Sequence, residues 1–591
     1  MRLIQLILLC MVMLGFYAHS GNATSFEREY LTYVQLSIES NVDINQPISL
    51  SAMTAPAKPN PSKLRLKGRF NFSPIAGLSH LTLVEESDAY HFERRTRPAA
   101  FTQARVFLPD ISIDFVQSGQ NIIPTNQTLQ LSEHANWDYI VGVGGIWQEP
   151  DDSGYSRISM PFTLVEKNQN CVHNGALSFL VNEQGKTTNF YYQISSETCL
   201  YYKVNMWGKG QVTFTEKNIA GANKIVDEYR IEQKNRFPTQ PLSHLKQQYP
   251  DINLDNISLS NSISALDLSS VGVILNDQHY VSDCETRFGF YPFCSQLVLP
   301  SYSTAKSIFA GIAMLYLEQI YPTIFQQKIS DWIKECKGQQ WQGVTFGHLL
   351  NMSTGNYQSI GHGIDEAAPH SQIFFKAKSH HEKLNYSCGQ FAHQRPAGNT
   401  FVYHTSDTYL LGSALNYFLN TQLKILKPQA TTSVFEHVFV EKLWPLLQLS
   451  PVAFTVQKTA DAEQQAFTGY GMFFIRDDIA KLAHFLMNQS NHQDAYLNSQ
   501  RWQKTLQRSL SGDELKTQYK FIRYTNSFWK QNISDYLGCE KDTWLPYMSG
   551  YGGIAIVLAK HNMQYYYFSD TNQHNWRETI KELNEITSLC R

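Results

Sequence analysis

"LVLPSYSTAKSIFAGIAMLYLEQ" (Leu297–Gln319) decides how the second half of this chain is read. A short strand-like apolar run reaches a hydroxyl residue, Ser303, and Lys306 follows three positions on. A helix apolar on nearly every side then begins, as expected of one at the centre of a domain. Positions i and i+3 on a first helical turn share a face, so Ser303 and Lys306 point into the same space. A serine hydroxyl is a weak nucleophile until a base stands beside it. A lysine supplies one when burial lowers its pKa far enough to leave some free amine. The helix N-terminus adds N–H groups and partial positive charge, which favour an oxyanion at the serine. The structural alternative is a serine N-cap whose lysine reaches out to water. S-x-x-K alone is weak; Ser243-His244-Leu245-Lys246 matches it in a stretch that reads as accidental.

Two later stretches complete a site. "TFVYHTSDTYLLGSAL" (Thr400–Leu415) puts Tyr403 and Thr405 before another apolar helix. Tyr403 is placed to relay a proton and Thr405 to hydrogen-bond substrate, unless they are a core tyrosine and a helix cap. "YMSGYGGIAIVLAK" (Tyr547–Lys560) is dense in glycine and then strand-like. Glycines at a strand start allow close backbone approach, so Ser549, Gly550 and Tyr551 are candidate substrate contacts. A backbone N–H near Tyr551 can join that of Ser303 in an oxyanion hole; the plain alternative is a β-bulge.

The rest of the chain frames this region. A length of 591 residues predicts two or three domains. A net charge of −2 gives no electrostatic reason to expect a nucleic-acid partner. Aromatic content of 13% supplies large buried areas. Residues 1–23 read as an export signal: Arg2, an apolar run from Leu3 to Ala18, then small residues before a cleavage point. No later stretch is apolar enough to span a membrane. Of nine cysteines, Cys10 falls in that signal, leaving an even eight. In an exported chain this favours disulfides, the alternative being several free buried thiols. Eight cysteines allow about 105 connectivities, among which nearest-neighbour pairing is a guess: 171–199, 284–294, 336–388 and 539–590. No CxxC occurs, so neither zinc nor a redox dithiol is expected, and no cofactor is implied.

Residues 24–235 carry short runs rich in β-branched and aromatic residues, such as "DYIVGVGGIW" and "NFYYQI", and predict an all-β accessory domain, a sandwich. Residues 236–262, rich in Pro, Gln and Asn, read as a linker. From 263 to 591 the pattern changes to a hairpin turning at Asn276-Asp277, then helices around Phe309–Ile320, Ser406–Leu419, Ser433–Leu446 and Asp478–Met487. Two returning strands and a helix near Arg577–Leu589 end the chain, so the whole predicts an α/β layered domain. His362, Asp365, His370, His380 and His381 fit no metal-ligand spacing and read as a polar loop bordering the site.

Taken in order, Ser303-x-x-Lys306, Tyr403-x-Thr405 and Met548-Ser549-Gly550 resemble the motifs of the serine β-lactamase-like hydrolases. That group includes class C β-lactamases, DD-peptidases, family VIII esterases and 6-aminohexanoate-dimer hydrolase. "WQGVTFGHLLNMSTG" (Trp341–Gly355), "GYGMFFIRDDIAKLAHFLMNQ" (Gly469–Gln489) and "GYGG" (Gly550–Gly553) are similar to further segments of the family. The resemblance implies a β-lactamase/transpeptidase-like α/β (α+β) catalytic domain. It also implies Ser303 as acylated nucleophile, Lys306 and Tyr403 sharing its proton, and Ser303 and Tyr551 N–H groups holding the oxyanion. Thr405 and Met548 depart from the family pattern, which has Asn or Ser and often Lys or His there. The loss of that cation argues against carboxylate-bearing substrates and favours a neutral ester or amide, small or peptide-like. The alternative from another class is an inactive protein of this fold that binds cell-wall or glycan material.

Overall fold

The computed structural model describes residues 29–38, 44–86, 108–361, 363–426, 431–489 and 496–590. The expected export signal and Cys10 lie outside them, as does His362. Two β-sheets dominate the rest.

The first sheet spans Asn60 to Glu216 and is antiparallel throughout. Its pairing runs through the strands Gly144–Gln148, Asn121–Pro124, Ile111–Ser118, Lys67–Glu86, Tyr202–Glu216, Asn189–Thr198, Val172–Val181 and Ser156–Glu166. Ser156–Glu166 then pairs back onto Gly144–Gln148, with Ile146 opposite Ile158. The sheet therefore closes into an eight-stranded barrel rather than the expected sandwich. The cause is local: the long Lys67–Glu86 and Tyr202–Glu216 strands shift register between Lys203 and Val204 and again between Gly208 and Gly210. Such bulges bend a strand and raise its twist until the sheet meets itself. Alternate residues fill the lumen with side chains, including Phe72, Phe179 and Phe190. At its centre Phe70 stacks on Phe115 with ring centroids 4.3 Å apart.

Strands Ser156–Glu166 and Val172–Val181 are buried at every position. One face looks into the lumen; the other packs on the second half of the chain. Ile140, Val165 and Val172 of the barrel share a cluster with Val298, Val452, Phe473 and Ile475.

The second sheet is ordered Thr239–Pro241, Gln278–Val281, Leu268–Leu275, Met563–Ser569, Ile554–Lys560, Trp544–Gly550, Phe528–Asn532, Ile522–Thr525 and Leu515–Lys516. Its central strands alternate cleanly. Met548, Ile554, Ile556, Tyr566 and Phe568 pack into the core that holds helices Ile312–Ile320, Thr405–Leu426 and Arg476–Asn488. Tyr547, Ala555, Val557, Tyr565 and Tyr567 face the opposite way, under helix Trp576–Ile586. Both faces are covered, which is why "GGIAIVLAK" reads as unbroken apolar sequence. The expected hairpin is present, and Asn276 and Asp277 both have positive φ, as a two-residue primed turn requires.

The stretch read as a linker is not a bare tether. Thr239–Pro241 adds an edge strand parallel to Gln278–Val281, where a proline costs no ladder bond. Leu242, Leu245, Ile252 and Ile257 bury in the cluster of Trp576 and Ile580. Its polar composition conceals a few well-spaced apolar anchors. The four cysteine pairs 171–199, 284–294, 336–388 and 539–590 are all joined. No helix among the described residues is long and apolar enough to cross a membrane.

Candidate active site

The strand-like run before Ser303 becomes the two-residue bridge Leu299–Pro300, paired with Phe473–Phe474. Tyr302 then turns with φ +41°. A bulky residue in the left-handed region is costly and marks a site where the surroundings impose the conformation. The helix starts directly afterwards, and Lys306–Gly311 is wound as a π-helical turn, a feature frequent at functional sites.

Lys306 is 2% exposed. Its Nζ lies 2.9 Å from Ser303 Oγ, 2.8 Å from Thr405 Oγ1 and 3.3 Å from the Gly469 carbonyl. Burial brings its pKa down to about 8, against an opposing pull from the Glu366 carboxylate. As an ammonium, the lysine has three donors for three acceptors. As a free amine it keeps two, for Thr405 and Gly469, and turns its lone pair toward the Ser303 hydroxyl. Ser303 itself is half-buried, open to an arriving group.

Tyr403 hydrogen-bonds Ser303, and its ring lies 4.9 Å from Lys306 Nζ. The ring stacks on Trp529 at 6.0 Å. Burial, then the Glu366 charge, push its phenol well above the ordinary range, so it stands as neutral phenol at neutral pH. Ser303, Lys306 and Tyr403 are thus gathered around one hydroxyl. Thr405 joins them, but not as a free substrate contact: its N–H and Oγ1 both donate to the Glu366 carboxylate, while its oxygen accepts from Lys306.

Gly550 ends its strand against the Ser301–Tyr302 turn that leads to Ser303. A Cβ there would lie 3.1 Å from the Ser301 carbonyl oxygen and 3.3 Å from Tyr302 Cβ. Tyr551, 37% exposed, sits 6.1 Å ring to ring from Tyr302, and Ser549 is half-buried beside them. Met548 is fully buried in the helix-side core and presents nothing to the site.

The polar loop does border the site, though its members serve different partners. Asp365 binds His404 at 3.0 Å and the backbone of Gln358 and Ser359; His370 meets Tyr386, His380 meets Tyr409, and His381 meets Asn385. Sequence reading missed Glu366 in that same loop, and missed Gly469, where a Cβ would lie 2.9 Å from Thr405 Cγ2. Glu366 belongs to no motif, and the loop's acidic residues were its only signal; Gly469 opens the family-like segment Gly469–Gln489, which carried no hint of its contact with Lys306. Among the described residues, the grouping closest to a metal site is Cys171, His173 and Cys199, and its two cysteines are bonded to each other.

No family model matches the chain, and no curated protein matches its sequence. In three dimensions it is similar to proteins of the serine β-lactamase fold. A Bacillus anthracis protein assigned as a 6-aminohexanoate-dimer hydrolase shares 16% identity over 59% of this chain and 87% of its own, with TM-score 0.42. A penicillin-binding protein homologue from Caulobacter crescentus shares 12% over 56% and 95%, with TM-score 0.40. A class C beta-lactamase shares 16% over 58% and 97%, with TM-score 0.40. The likeness is one of fold; residue roles rest on the distances above.

Proposed function

We propose that this chain is a serine hydrolase that acts through an acyl-enzyme at Ser303. The carrying observation is the buried Lys306 Nζ, 2.9 Å from Ser303 Oγ with its pKa lowered to about 8. At pH 7 roughly a tenth of the lysine is then free amine, far more than an exposed lysine offers.

In this reading Lys306 takes the Ser303 proton as Oγ attacks a carbonyl carbon. Backbone N–H groups of Ser303 and Tyr551 receive the oxyanion. As the bond to the leaving group breaks, the proton passes from Lys306 to the departing oxygen or nitrogen through the neutral Tyr403 phenol, which lies against both Ser303 and Lys306. Water then attacks the ester at Ser303 by the same route in reverse, and releases the acid.

A neutral ester or amide is the favoured substrate class. Met548 offers no cation, and Glu366 places a negative charge beside the nucleophile, which repels a carboxylate. Four disulfides fit an exported protein in an oxidising compartment.

The test is intact-mass spectrometry after incubation with a fluorophosphonate. The native protein takes a single adduct and Ser303→Ala takes none. A folded native protein without an adduct would move the assignment to a non-catalytic binding role for this fold.

A further inference from the structure

The barrel reaches into the catalytic site through one hairpin tip. Between strands Ser156–Glu166 and Val172–Val181 the chain turns at Asn168, φ +63°, and delivers Asn170, which is 2% exposed. Asn170 Oδ1 accepts three hydrogen bonds: from Tyr302 N–H at 2.6 Å, Ser301 Oγ at 3.0 Å and Gly471 N–H at 3.0 Å. Its amide donates to the Met472 carbonyl at 3.4 Å. Ser301 and Met472 are also bonded to each other, N–H to carbonyl at 2.9 Å and Oγ to N–H at 3.1 Å.

These partners flank the reacting groups on both sides. Tyr302 is the left-handed residue before the nucleophile, and its N–H is fixed by Asn170. Gly471 lies two residues from Gly469, whose carbonyl holds Lys306. One oxygen thereby ties the segment that aims Ser303 to the segment that anchors its base. The barrel grips the opposite wall too. Cys171 is bonded to Cys199, and past it Leu200 and Tyr201 lie against Gly552 and Tyr551; the two tyrosine rings are 5.6 Å apart.

We infer that the barrel is a working part of the catalytic site, and that Asn170 is a positioning residue for Ser303. This rests on the acyl-enzyme reading above. Asn170 touches no reacting atom; it holds the strained Tyr302 turn in the conformation that presents Oγ to Lys306. Misplacing a nucleophile by about an ångström costs on the order of a hundred-fold in rate.

The test is the rate of fluorophosphonate labelling at Ser303 in the full chain, with folding followed by near-UV circular dichroism. Asn170→Ala is expected to label about a hundred-fold more slowly while folded. Asn170→Asp keeps the acceptor oxygen and is expected to recover most of that rate, whereas Asn170→Leu fills the same space without an acceptor and is expected to stay as slow as Asn170→Ala. Recovery in Asn170→Leu would mean that Asn170 only fills space and would overturn the inference. Native-rate labelling of Asn170→Ala, or equal losses in the Ala and Asp variants, overturns the inference while leaving Ser303 as nucleophile. If Asn170→Ala does not fold, Ser301→Ala removes one of the three bonds; slower labelling supports the role and unchanged labelling overturns it. A native protein that takes no adduct overturns the acyl-enzyme reading, and this inference with it.

Discussion

At the scale of single residues, Glu366 opposes burial in setting the state of Lys306. Its carboxylate raises the Lys306 pKa against the stronger lowering by burial. In the proposed mechanism the amine is the form that accepts the Ser303 proton, so labelling and turnover should rise with pH through about 8. Glu366→Gln removes the raising influence, and the acidic limb of the rate profile should move to lower pH. A limb that stays fixed or moves upward would remove Glu366 from the electrostatics of the base. Tyr403→Phe makes the complementary test. It deletes the hydroxyl bonded to Ser303 but keeps the ring on Trp529. Turnover should fall by about a hundred- to ten-thousand-fold, with the melting temperature little changed; undiminished turnover would take Tyr403 out of the proton path. Ser303, Lys306 and Tyr403 were legible because each sits in a short local pattern beside a helix. Glu366 and Asn170 were not: they reach Thr405 and Tyr302 across 39 and 132 residues, and only the folded chain brings them there.

At the scale of elements, a glycine at the head of a family-like segment holds one wall of the site. Gly469 lies where the chain after the Thr405–Leu426 helix returns past Lys306, and its carbonyl is one of the lysine's three partners. Gly469→Ala would drive a methyl toward Thr405 Cγ2 at 2.9 Å and Lys306 Nζ at 3.5 Å. Displacing Thr405, which accepts a hydrogen bond from Lys306, should slow labelling with little change in apparent affinity, and cost about 1–3 kcal/mol of stability through overpacking. A variant with native labelling and a native denaturation midpoint would mean the wall yields freely. Element positions were largely readable from periodicity: the helices near Ser406 and Asp478 begin within two residues of expectation. Two things were not readable. The π-helical turn at Lys306 depends on how the helix seats against Ser527, whose carbonyl receives the Ser307 hydroxyl at 2.5 Å. Barrel closure depends on bulges at Lys203 and Gly208, which single-sequence alternation does not distinguish from the bends of a sandwich.

At the scale of the whole molecule, the barrel and the α/β half share polar as well as apolar interface. The loop closed by Cys284–Cys294 carries Arg287 into the barrel, where its guanidinium meets Glu197 at 2.5 and 3.0 Å and Asn205 at 3.2 Å. Glu197 is almost fully buried, and Arg287 is its charge partner there. In the same cluster of charges Lys203 bridges Asp267 and Asp570. An independent accessory domain would be expected to meet its neighbour through a smaller, wetter surface and to unfold by itself. Here the two halves should melt in a single transition, seen at the same denaturant concentration by tryptophan fluorescence and by loss of Ser303 labelling. Arg287→Ala leaves the Glu197 carboxylate buried and unpaired, which costs about 3–5 kcal/mol. Because that charge sits between the halves, the cost should lower the shared midpoint instead of splitting the curve. Two separated transitions in the native protein, with labelling surviving the first, would show that the barrel is dispensable to the site; a common transition that shifts as one in Arg287→Ala would show that the nucleophile's turn and the barrel stand or fall together.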